Sequence, residues 1–207
     1  WNVIQVYEKT GSFVGHHSSF MKAILIYCGA NDGNKPVYRE KAEARSEELV
    51  KRKIKMIYGG GSVGLMGVLA DKFLEKGGEI TGVIPNFLDD LEVGHKEVED
   101  MQKVGSMHER KALMEKLCDG IITLPGGFGS MDEVFEILTW AQLGLHKKPI
   151  GLLNVNGYYD FLLKQLDVMV EEGFLKAQNR NLLIVSDDID AVSYSHLTLP
   201  MIYSGYI

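Results

Sequence analysis

Two glycine-rich segments of the chain carry residue types that bind anions. They run from Gly59 to Gly67 and from Pro125 to Ser130. Glycines let the backbone approach a phosphate closely, and a helix that begins directly afterwards points its free N–H groups at the same place. The second segment lacks the Lys-Ser/Thr pair of a nucleoside-triphosphate loop. It is therefore predicted to bind a single phosphate, such as that of a nucleoside monophosphate.

The first segment formally satisfies the GxGxxG pattern of dinucleotide-binding proteins through Gly59, Gly61 and Gly64. The match is weak, because the segment follows the second predicted strand and no acidic residue ends the next strand to bind a ribose hydroxyl. Two other interpretations stay open. The glycines serve only a tight turn and close helix packing, or their backbone N–H groups contact a phosphate or nucleotide, which we favour.

Two carboxylates, Glu133 and Glu136, follow the second segment and share a helix face with Trp140. If that face lies toward the bound phosphate, both carboxylates are placed to act on a ribose. The pattern Ser130-x-x-Glu133 is also that of a capping box, in which each side chain binds a backbone N–H at a helix start. The spacing is compatible with either role.

Adjacent basic residues, Arg110 and Lys111, stand near the start of the helix predicted from Ser106. Positive side chains there oppose the helix dipole, which invites a functional explanation, although a solvated charge run has the same pattern. Met107 is expected either to pack on a flat base or to fill the core. His108 is expected at the surface. The six histidines form no metal-ligand pattern, and neither a GxSxG elbow nor a Cys/His nucleophile arrangement is found.

The elements that must position these residues follow an alternation of short apolar runs and segments of helical period. This alternation predicts an α/β fold with a parallel sheet that is covered by helices on both faces. The predicted strands are Ala23 to Cys28, Lys55 to Tyr58, Ile80 to Ile84, Gly120 to Leu124, Ile150 to Asn154 and Leu182 to Val185. The predicted helices are Pro36 to Arg52, Leu65 to Lys76, Ser106 to Leu117, Met131 to Leu143 and Tyr158 to Glu172. Between residues 86 and 104 we expect a short helix and a connecting excursion.

Composition limits the classes of function. The 207 residues are 45% hydrophobic and carry 22 Lys and Arg against 28 Asp and Glu, a formal net charge of −6. A single domain is expected, and the acidic balance argues against binding to a nucleic acid polymer. No apolar run approaches the length of about 18 residues that a membrane span requires, so no membrane partner is predicted. Cys28 and Cys118 lack metal or redox spacing and indicate reduced thiols in a cytoplasmic protein.

The two ends of the chain differ from its middle. Residues 193–207 have no core pattern, and the stretch from Val192 to Pro200 resembles a translated sequencing adapter. Met21-Lys22 before the first strand would be a natural start, and residues 1–20 lack the pattern of a signal peptide. We therefore expect one domain over residues 21–190, with residues 1–20 and 193–207 outside the native fold as gene-model artefacts.

The segment from Pro125 to Glu133 resembles the PGGxGTxxE signature of the LONELY GUY (LOG) family, the cytokinin riboside 5′-monophosphate phosphoribohydrolases. Three further blocks agree: Gly59 to Gly67, Met107 to Lys111, and Leu138 to Gly144 with the following Lys148-Pro149. The resemblance covers about residues 21–190. It implies a Rossmann-like doubly wound fold, a homodimer, and hydrolysis of the N-glycosidic bond of an adenine-type nucleoside 5′-monophosphate to free base and ribose 5-phosphate.

Position by position, the resemblance implies that Arg110 and Glu133 form the catalytic pair. It implies substrate contacts by Gly60, Gly61, Met107, Lys111, Gly126, Gly127, Gly129, Ser130 and Glu136. It requires no metal or redox cofactor. Such proteins are often labelled lysine decarboxylases, a label that needs a pyridoxal phosphate site, for which no signature is found. Cleavage builds positive charge on the ribose, and a carboxylate beside the ring would stabilise that charge.

The chain departs from the family pattern at two places. Ser130 replaces the usual Thr and keeps the hydroxyl. Ala30 and Asn31 stand where a serine pair is usual, so that Ala30 removes a hydroxyl for which Asn31 can substitute as a donor. Two alternative functions stay open: a nucleosidase whose main substrate is AMP, and a non-catalytic nucleotide or cofactor carrier on the same fold. The pair of Arg110 and Glu133 argues against a carrier.

Overall fold

The computed structural model describes residues 21–91 and 93–187 and contains a seven-stranded sheet. Its strands are β1 (Ala23–Tyr27), β2 (Lys55–Tyr58), β3 (Ile80–Pro85), β4 (Asp100–Val104), β5 (Gly120–Thr123), β6 (Ile150–Leu153) and β7 (Leu183–Ser186). The order is β4-β3-β2-β1-β5-β6-β7, with all neighbouring pairs parallel. The helices are α1 (Pro36–Lys51), α2 (Gly64–Glu75), α3 (Asn86–Asp89), α4 (Met107–Leu117), α5 (Phe128–Gln142), α6 (Asp160–Glu171) and α7 (Ala177–Arg180), with a 3₁₀ turn at Val155–Gly157.

The core has two halves, one on each face of the sheet. Ile24 of β1 belongs to a cluster with Leu49 of α1 and Phe73 of α2. The next residue, Leu25, belongs to a second cluster with Val134 of α5. Because successive side chains of a strand point to opposite faces, a strand covered on both faces must be apolar at every position. The predicted Rossmann-like, doubly wound α/β fold is confirmed.

Strand β4 was not predicted. Its sequence, DMQKV, is mostly polar, and its side chains are exposed or half-buried. It pairs with β3 alone and lies at the edge of the sheet, where it lacks the two-sided burial that made β1, β2, β3, β5 and β6 recognisable. The short helix expected in this region is α3. The remaining six strands match their predicted bounds to within one residue at each end.

Helix α5 begins at Phe128, ahead of the predicted start at Met131. Its N-cap is Gly127, which has no side chain that could cap the helix, so the usual sequence signal of a helix start is missing. Ser130 consequently lies inside the first turn. The interpretation of Ser130 and Glu133 as a capping box is therefore wrong.

The sheet edge formed by the carboxyl ends of the strands carries a crevice beside β1. β1 lies between β2 and β5, at the point where the connections change direction, and such a point opens a binding crevice in doubly wound folds. Among the described residues no helix is long and apolar enough to cross a bilayer. Residues 1–20 and 193–207, predicted to be outside the fold, lie outside the described residues.

Candidate active site

A cavity of about 510 Å³ occupies this crevice. Three loops that follow β1, β2 and β5 form much of its wall, and Tyr158 closes one side. The cavity is lined by Cys28, Gly29, Ala30, Asn31, Asp32, Gly33, Tyr38, Gly59, Gly61, Leu65, Met66, Ile84, Leu88, Val93, Arg110, Pro125, Gly126, Gly127, Phe128, Gly129, Ser130, Glu133 and Tyr158. Seven of the predicted site residues are in this wall: Gly61, Arg110, Gly126, Gly127, Gly129, Ser130 and Glu133.

Arg110 is fixed by hydrogen bonds to strand β3 and to the loop after β2. Its Nε donates to the carbonyl oxygen of Val83 at 3.1 Å, and its Nη2 donates to that of Gly59 at 3.0 Å. The residue is only 8% exposed. The alternative of a solvated charge run is therefore wrong, and the first glycine segment helps to hold the guanidinium group.

Glu133 faces this guanidinium group from α5. Its Oε1 lies 3.6 Å from Nη1 of Arg110, and Glu133 is itself 8% exposed. Burial raises the pKa of Glu133 to about 7, against the opposing effect of the positive charge on Arg110. A carboxyl group with a pKa near neutrality exchanges its proton readily at physiological pH, which suits general acid–base catalysis.

Lys111 makes a second link between α4 and α5. Its Nζ lies 3.0 Å from Oδ2 of Asp132 and 2.8 Å from Oε2 of Glu136. Burial lowers the pKa of Lys111, but hydrogen bonds to these two carboxylates outweigh it and leave the pKa above its usual value. Neither Lys111 nor Glu136 lines the cavity. Their predicted contact with substrate finds no support in this geometry, which assigns them to the packing of α4 against α5.

The loop between β5 and α5 offers free backbone donors to the cavity. Met131 N is the first to make a helical bond, to the carbonyl oxygen of Gly127, so the N–H groups of the three residues before it have no partner within the helix. At Gly127 and Gly129, no atom lies within 4 Å of the place that a Cβ would take. Together with the positive end of the α5 dipole, this surface suits a phosphate group.

Gly60 and Met107 were also predicted to contact substrate, but neither lines the cavity. A Cβ at Gly60 would stand 3.1 Å from Ile84 Cβ, so Gly60 faces the protein interior. The Met107 sulfur lies 3.9 Å from Arg110 Nη1. Met107 therefore packs beside the catalytic candidate, and the prediction of a direct substrate contact finds no support at either residue.

Several cavity residues were missed from the sequence. Tyr38 and Tyr158 stack edge to face with ring centroids 5.8 Å apart. An apolar wall is formed by Leu65, Met66, Ile84, Leu88 and Val93. Position at the carboxyl end of a strand was the only signal available for Tyr158, which follows β6. The apolar wall had no local signal, because each residue also fits a core position.

Among the histidine and cysteine residues that the structure describes, only Cys28 lines the cavity. His108 is exposed, as predicted. Cys28 and Cys118 are buried free thiols. Over residues 21–91 and 93–187, no group of His, Cys, Asp and Glu could hold a metal ion.

Sequence comparison matches residues 66–195 to the family described as "Possible lysine decarboxylase". The chain is 46% identical to the probable cytokinin riboside 5′-monophosphate phosphoribohydrolase LOGL9 of Oryza sativa subsp. japonica, over 84% of this chain and 77% of that protein. It is 45% identical to the cytokinin riboside 5′-monophosphate phosphoribohydrolase LOG7 of Arabidopsis thaliana, over 80% of this chain and 76% of that protein.

Solved structures share the fold at lower identity. The Moco carrier protein of Chlamydomonas reinhardtii superimposes with a TM-score of 0.62 at 17% identity, covering 85% of this chain and 96% of that chain. The molybdenum cofactor binding protein of Rippkaea orientalis gives 0.60 at 20% identity, covering 81% and 91%. The sequence relatives, at more than twice these identities, decide the family: the chain belongs to the LONELY GUY (LOG) family of cytokinin riboside 5′-monophosphate phosphoribohydrolases.

Proposed function

We propose that this protein hydrolyses the N-glycosidic bond of cytokinin riboside 5′-monophosphates and releases the free base and ribose 5-phosphate. The observation that carries the proposal is the buried pair of Arg110 and Glu133 in the wall of a cavity that also contains an open helix N-terminus. A glycosidase needs a carboxylate at the sugar, and a nucleotide needs an anion site beside it. The names of the sequence relatives agree with this chemistry.

The 5′-phosphate would bind at the N-terminus of α5. The N–H groups of Phe128, Gly129 and Ser130 are available there, and the buried Ser130 hydroxyl lies in the same wall. Phosphate bound at this point brings the ribose toward Glu133, which lies one turn further along the same helix. Binding energy from the phosphate would thus be used to position the reacting sugar.

Glu133 would act on the ribose as the glycosidic bond breaks. Its carboxylate stabilises the positive charge that develops on the sugar, and with a pKa of about 7 it can accept a proton from the attacking water. Arg110, which stays protonated, lowers the pKa of Glu133 and so favours the ionised form against the cost of burial. Its hydrogen bonds to Val83 and Gly59 keep that charge in place.

The apolar wall favours a base with an isoprenoid substituent over plain adenine. Leu65 and Ile84 are buried, and the half-buried Met66, Leu88 and Val93 would lose contact with water when a hydrocarbon chain fills the cavity. AMP carries no such chain and would leave the apolar wall of the cavity in contact with water. The proposed main substrate is therefore the cytokinin nucleotide, with AMP as a poorer one.

Lysine decarboxylation does not fit this cavity. Decarboxylases that use pyridoxal phosphate hold it as a Schiff base with a lysine, and no lysine is among the residues that line the cavity. The two basic residues at the start of α4 are also unsuitable, since Arg110 cannot form a Schiff base and Lys111 is engaged by two carboxylates.

We also propose that the protein is a cytoplasmic homodimer. Phe135, Leu143 and Leu145 in and after α5 are 37%, 66% and 70% exposed. Burial of this apolar surface against a second copy would stabilise a homodimer, which light scattering at micromolar concentration would show as twice the chain mass. A monomer would contradict it. The buried free thiols of Cys28 and Cys118 suit the reducing cytoplasm.

The test is incubation of the protein with isopentenyladenosine monophosphate, AMP and the two matching nucleosides, followed by chromatography for free base. We expect base release from both monophosphates, faster from the isopentenyl compound, and none from the nucleosides. Equal turnover of nucleosides and monophosphates would remove the phosphate role from α5. Binding of all four compounds without release of base would identify a carrier.

A further inference from the structure

Two adjacent tyrosines in the turn before α6 donate hydrogen bonds to the loop between β5 and α5, which is the proposed phosphate site. The Tyr159 hydroxyl donates to the carbonyl oxygen of Leu124 at 2.7 Å, and the Tyr158 hydroxyl donates to that of Gly126 at 2.7 Å. Between them, Gly29 N donates to the carbonyl oxygen of Pro125 at 3.0 Å. Three successive carbonyl groups that lead into α5 are thus each held by a donor from another part of the chain.

The bond to Gly126 bears directly on anion binding. A peptide unit is planar and trans, so its carbonyl oxygen and its N–H group point in opposite directions. Holding the oxygen of Gly126 therefore fixes the direction of the Gly127 N–H group, at a residue that lines the cavity. Rotation of this unit between two glycines is otherwise easy, because neither has a side chain to oppose it. A rotated unit would present its oxygen, and hence partial negative charge, to a phosphate.

The two tyrosines are placed differently. Tyr159 is 2% exposed, and its burial raises the pKa of the phenol well above its usual value, so it stays a donor. Tyr158 is 44% exposed and lines the cavity. Its position is set by the turn itself, where Asn154 accepts from the backbone N–H of Tyr159 and donates to Asp160, both at 2.8 Å. The turn thus places the Tyr159 hydroxyl on the core side of the loop between β5 and α5 and the Tyr158 hydroxyl on its cavity side.

We propose that Tyr158 is a positioning residue for the phosphate site, acting through the peptide unit of Gly126 and Gly127. Its hydroxyl raises the fraction of molecules whose loop is ready to bind an anion. The inference rests on the proposed function, in which this loop holds the 5′-phosphate. When only a fraction of the molecules is competent, the apparent dissociation constant rises in inverse proportion to that fraction, whereas the bound complex is unaltered. Loss of the hydroxyl should therefore raise KM and leave kcat unchanged.

The experiment compares the full chain with its Tyr158→Phe and Tyr58→Phe variants by calorimetric titration with ribose 5-phosphate and with adenine. For Tyr158→Phe we expect binding of ribose 5-phosphate to weaken about fivefold, as loss of one neutral hydrogen bond implies, with adenine binding unchanged. In turnover, KM for the nucleotide should rise by the same factor while kcat stays within about twofold. Tyr58→Phe is the matched control, since its hydroxyl is buried without a hydrogen-bond partner among residues 21–91 and 93–187 and does not line the cavity.

The outcomes separate this inference from the proposed function. Unchanged binding of ribose 5-phosphate to Tyr158→Phe, or an equal loss for adenine, would overturn the positioning role whatever the enzyme hydrolyses. If the unaltered protein binds ribose 5-phosphate but hydrolyses no nucleotide, a selective loss in Tyr158→Phe still supports the positioning role, and only the proposed reaction fails. A loss in kcat at constant KM would place Tyr158 in the chemical step and also overturn the proposal. Failure of the unaltered protein to bind ribose 5-phosphate would overturn the positioning role and the assignment of the phosphate to this loop, whereas the proposed reaction is decided by release of free base.

Discussion

The two glycine-rich loops look alike in sequence but need their glycines for different reasons. In the loop after β2, a Cβ at Gly59 would stand 1.9 Å from Arg110 Nη2, and one at Gly64 would stand 2.2 Å from the carbonyl carbon of Ala30. In the second segment, a Cβ at Gly126 would stand 2.0 Å from Ser130 Oγ, but the corresponding space at Gly127 in the loop and at Gly129 in the first turn of α5 is empty to 4 Å. Glycine in the first segment makes room for the protein itself, whereas Gly127 and Gly129 in the second leave room for a ligand.

This difference separates the interpretations of the first loop. Its glycines permit a tight turn and close packing, and the carbonyl group of Gly59 holds Arg110. Gly59 and Gly61 do reach the cavity wall, so the loop borders the ligand. The dinucleotide interpretation finds no support, because Gly59 and Gly64 lie directly against Arg110 and Ala30 and leave no space there for a ligand. The comparison teaches that the first loop holds Arg110 in place, whereas the second has the open surface that the proposed function assigns to the anion.

The largest effect should follow Gly64→Ala in the first loop. Gly64 has a φ of +60°, and the new methyl group would overlap the backbone of Ala30 and Asn31. Since backbone atoms cannot move aside cheaply, the free energy of unfolding should fall by more than about 3 kcal/mol, with loss of soluble protein. Gly77→Ala is the control. Its φ is +73°, but no atom lies within 4 Å of the place that a Cβ would take, so the free energy of unfolding should fall by only about 1 kcal/mol. Equal effects would mean that backbone angle alone, and not crowding, governs the first loop.

Glu133→Gln should have the next largest effect, on activity alone. The amide keeps the shape of the side chain but cannot balance charge on the ribose or accept a proton. We expect turnover to fall at least about a hundredfold. The melting temperature at about pH 5 should stay near that of the unaltered protein, because Glu133 does not cap its helix and its carboxyl group is still mostly protonated there. Normal turnover would remove the central residue of the proposed reaction.

Arg110→Ala sharpens this contrast, since Arg110 serves both regions. Its removal should abolish turnover and also lower the melting temperature, because the carbonyl groups of Val83 and Gly59 lose their donor. Position at the start of α4 gives a positive side chain no stabilising role of its own, so the loss of stability should come from these two hydrogen bonds. A variant with full stability would show that the arginine is not needed to hold the first loop.

Gly129→Ala probes the second loop and should affect binding without affecting folding. The methyl group meets no protein atom within 4 Å, and alanine is the better residue in a helix, so the melting temperature should stay the same or rise. In the proposed site the same methyl group would lie where the phosphate approaches, and we expect KM for the nucleotide to rise about tenfold. Steady-state kinetics with AMP measure this. Unchanged KM would show that the phosphate binds elsewhere.

The smallest expected effect is a pH dependence of stability. The pKa of Glu133 is about 7 when folded and near 4.3 in an unfolded chain, so the folded state binds more protons between these values. The contribution of Glu133 to stability is therefore full below about pH 4 and is lost as pH rises toward 7. Relative to Glu133→Gln, the unaltered protein should lose melting temperature between pH 5 and about pH 8, while its activity rises through about pH 7. Parallel melting curves for the two proteins would place the pKa of Glu133 at its ordinary value.

Local patterns were sufficient for most of the fold and failed at identifiable places. Apolar residues on both faces marked β1, β2, β3, β5 and β6, since burial on both sides favours such a composition. β7 was recognised from its apolar sequence, although it is an edge strand and only partly buried. The edge strand β4 has no such requirement, and its polar sequence hid it. The start of α5 was hidden because its N-cap is a glycine, whereas Ser106 does cap α4 by accepting from Glu109 N at 3.2 Å.

By itself the sequence determined the order of the four motifs that resemble the LOG family, and this resemblance indicated that Arg110 and Glu133 form a pair. Only the tertiary structure decided what they can do. Arg110 is held by carbonyl groups of β3 and of the loop after β2, both distant in sequence, and burial raises the pKa of Glu133 to about 7. The tertiary structure also places Lys111 and Glu136 outside the cavity and Tyr158 in its wall. Hydrogen-bond periodicity and capping are local and leave a trace in sequence, whereas desolvation and the distance between two charges depend on the packing of the whole sheet.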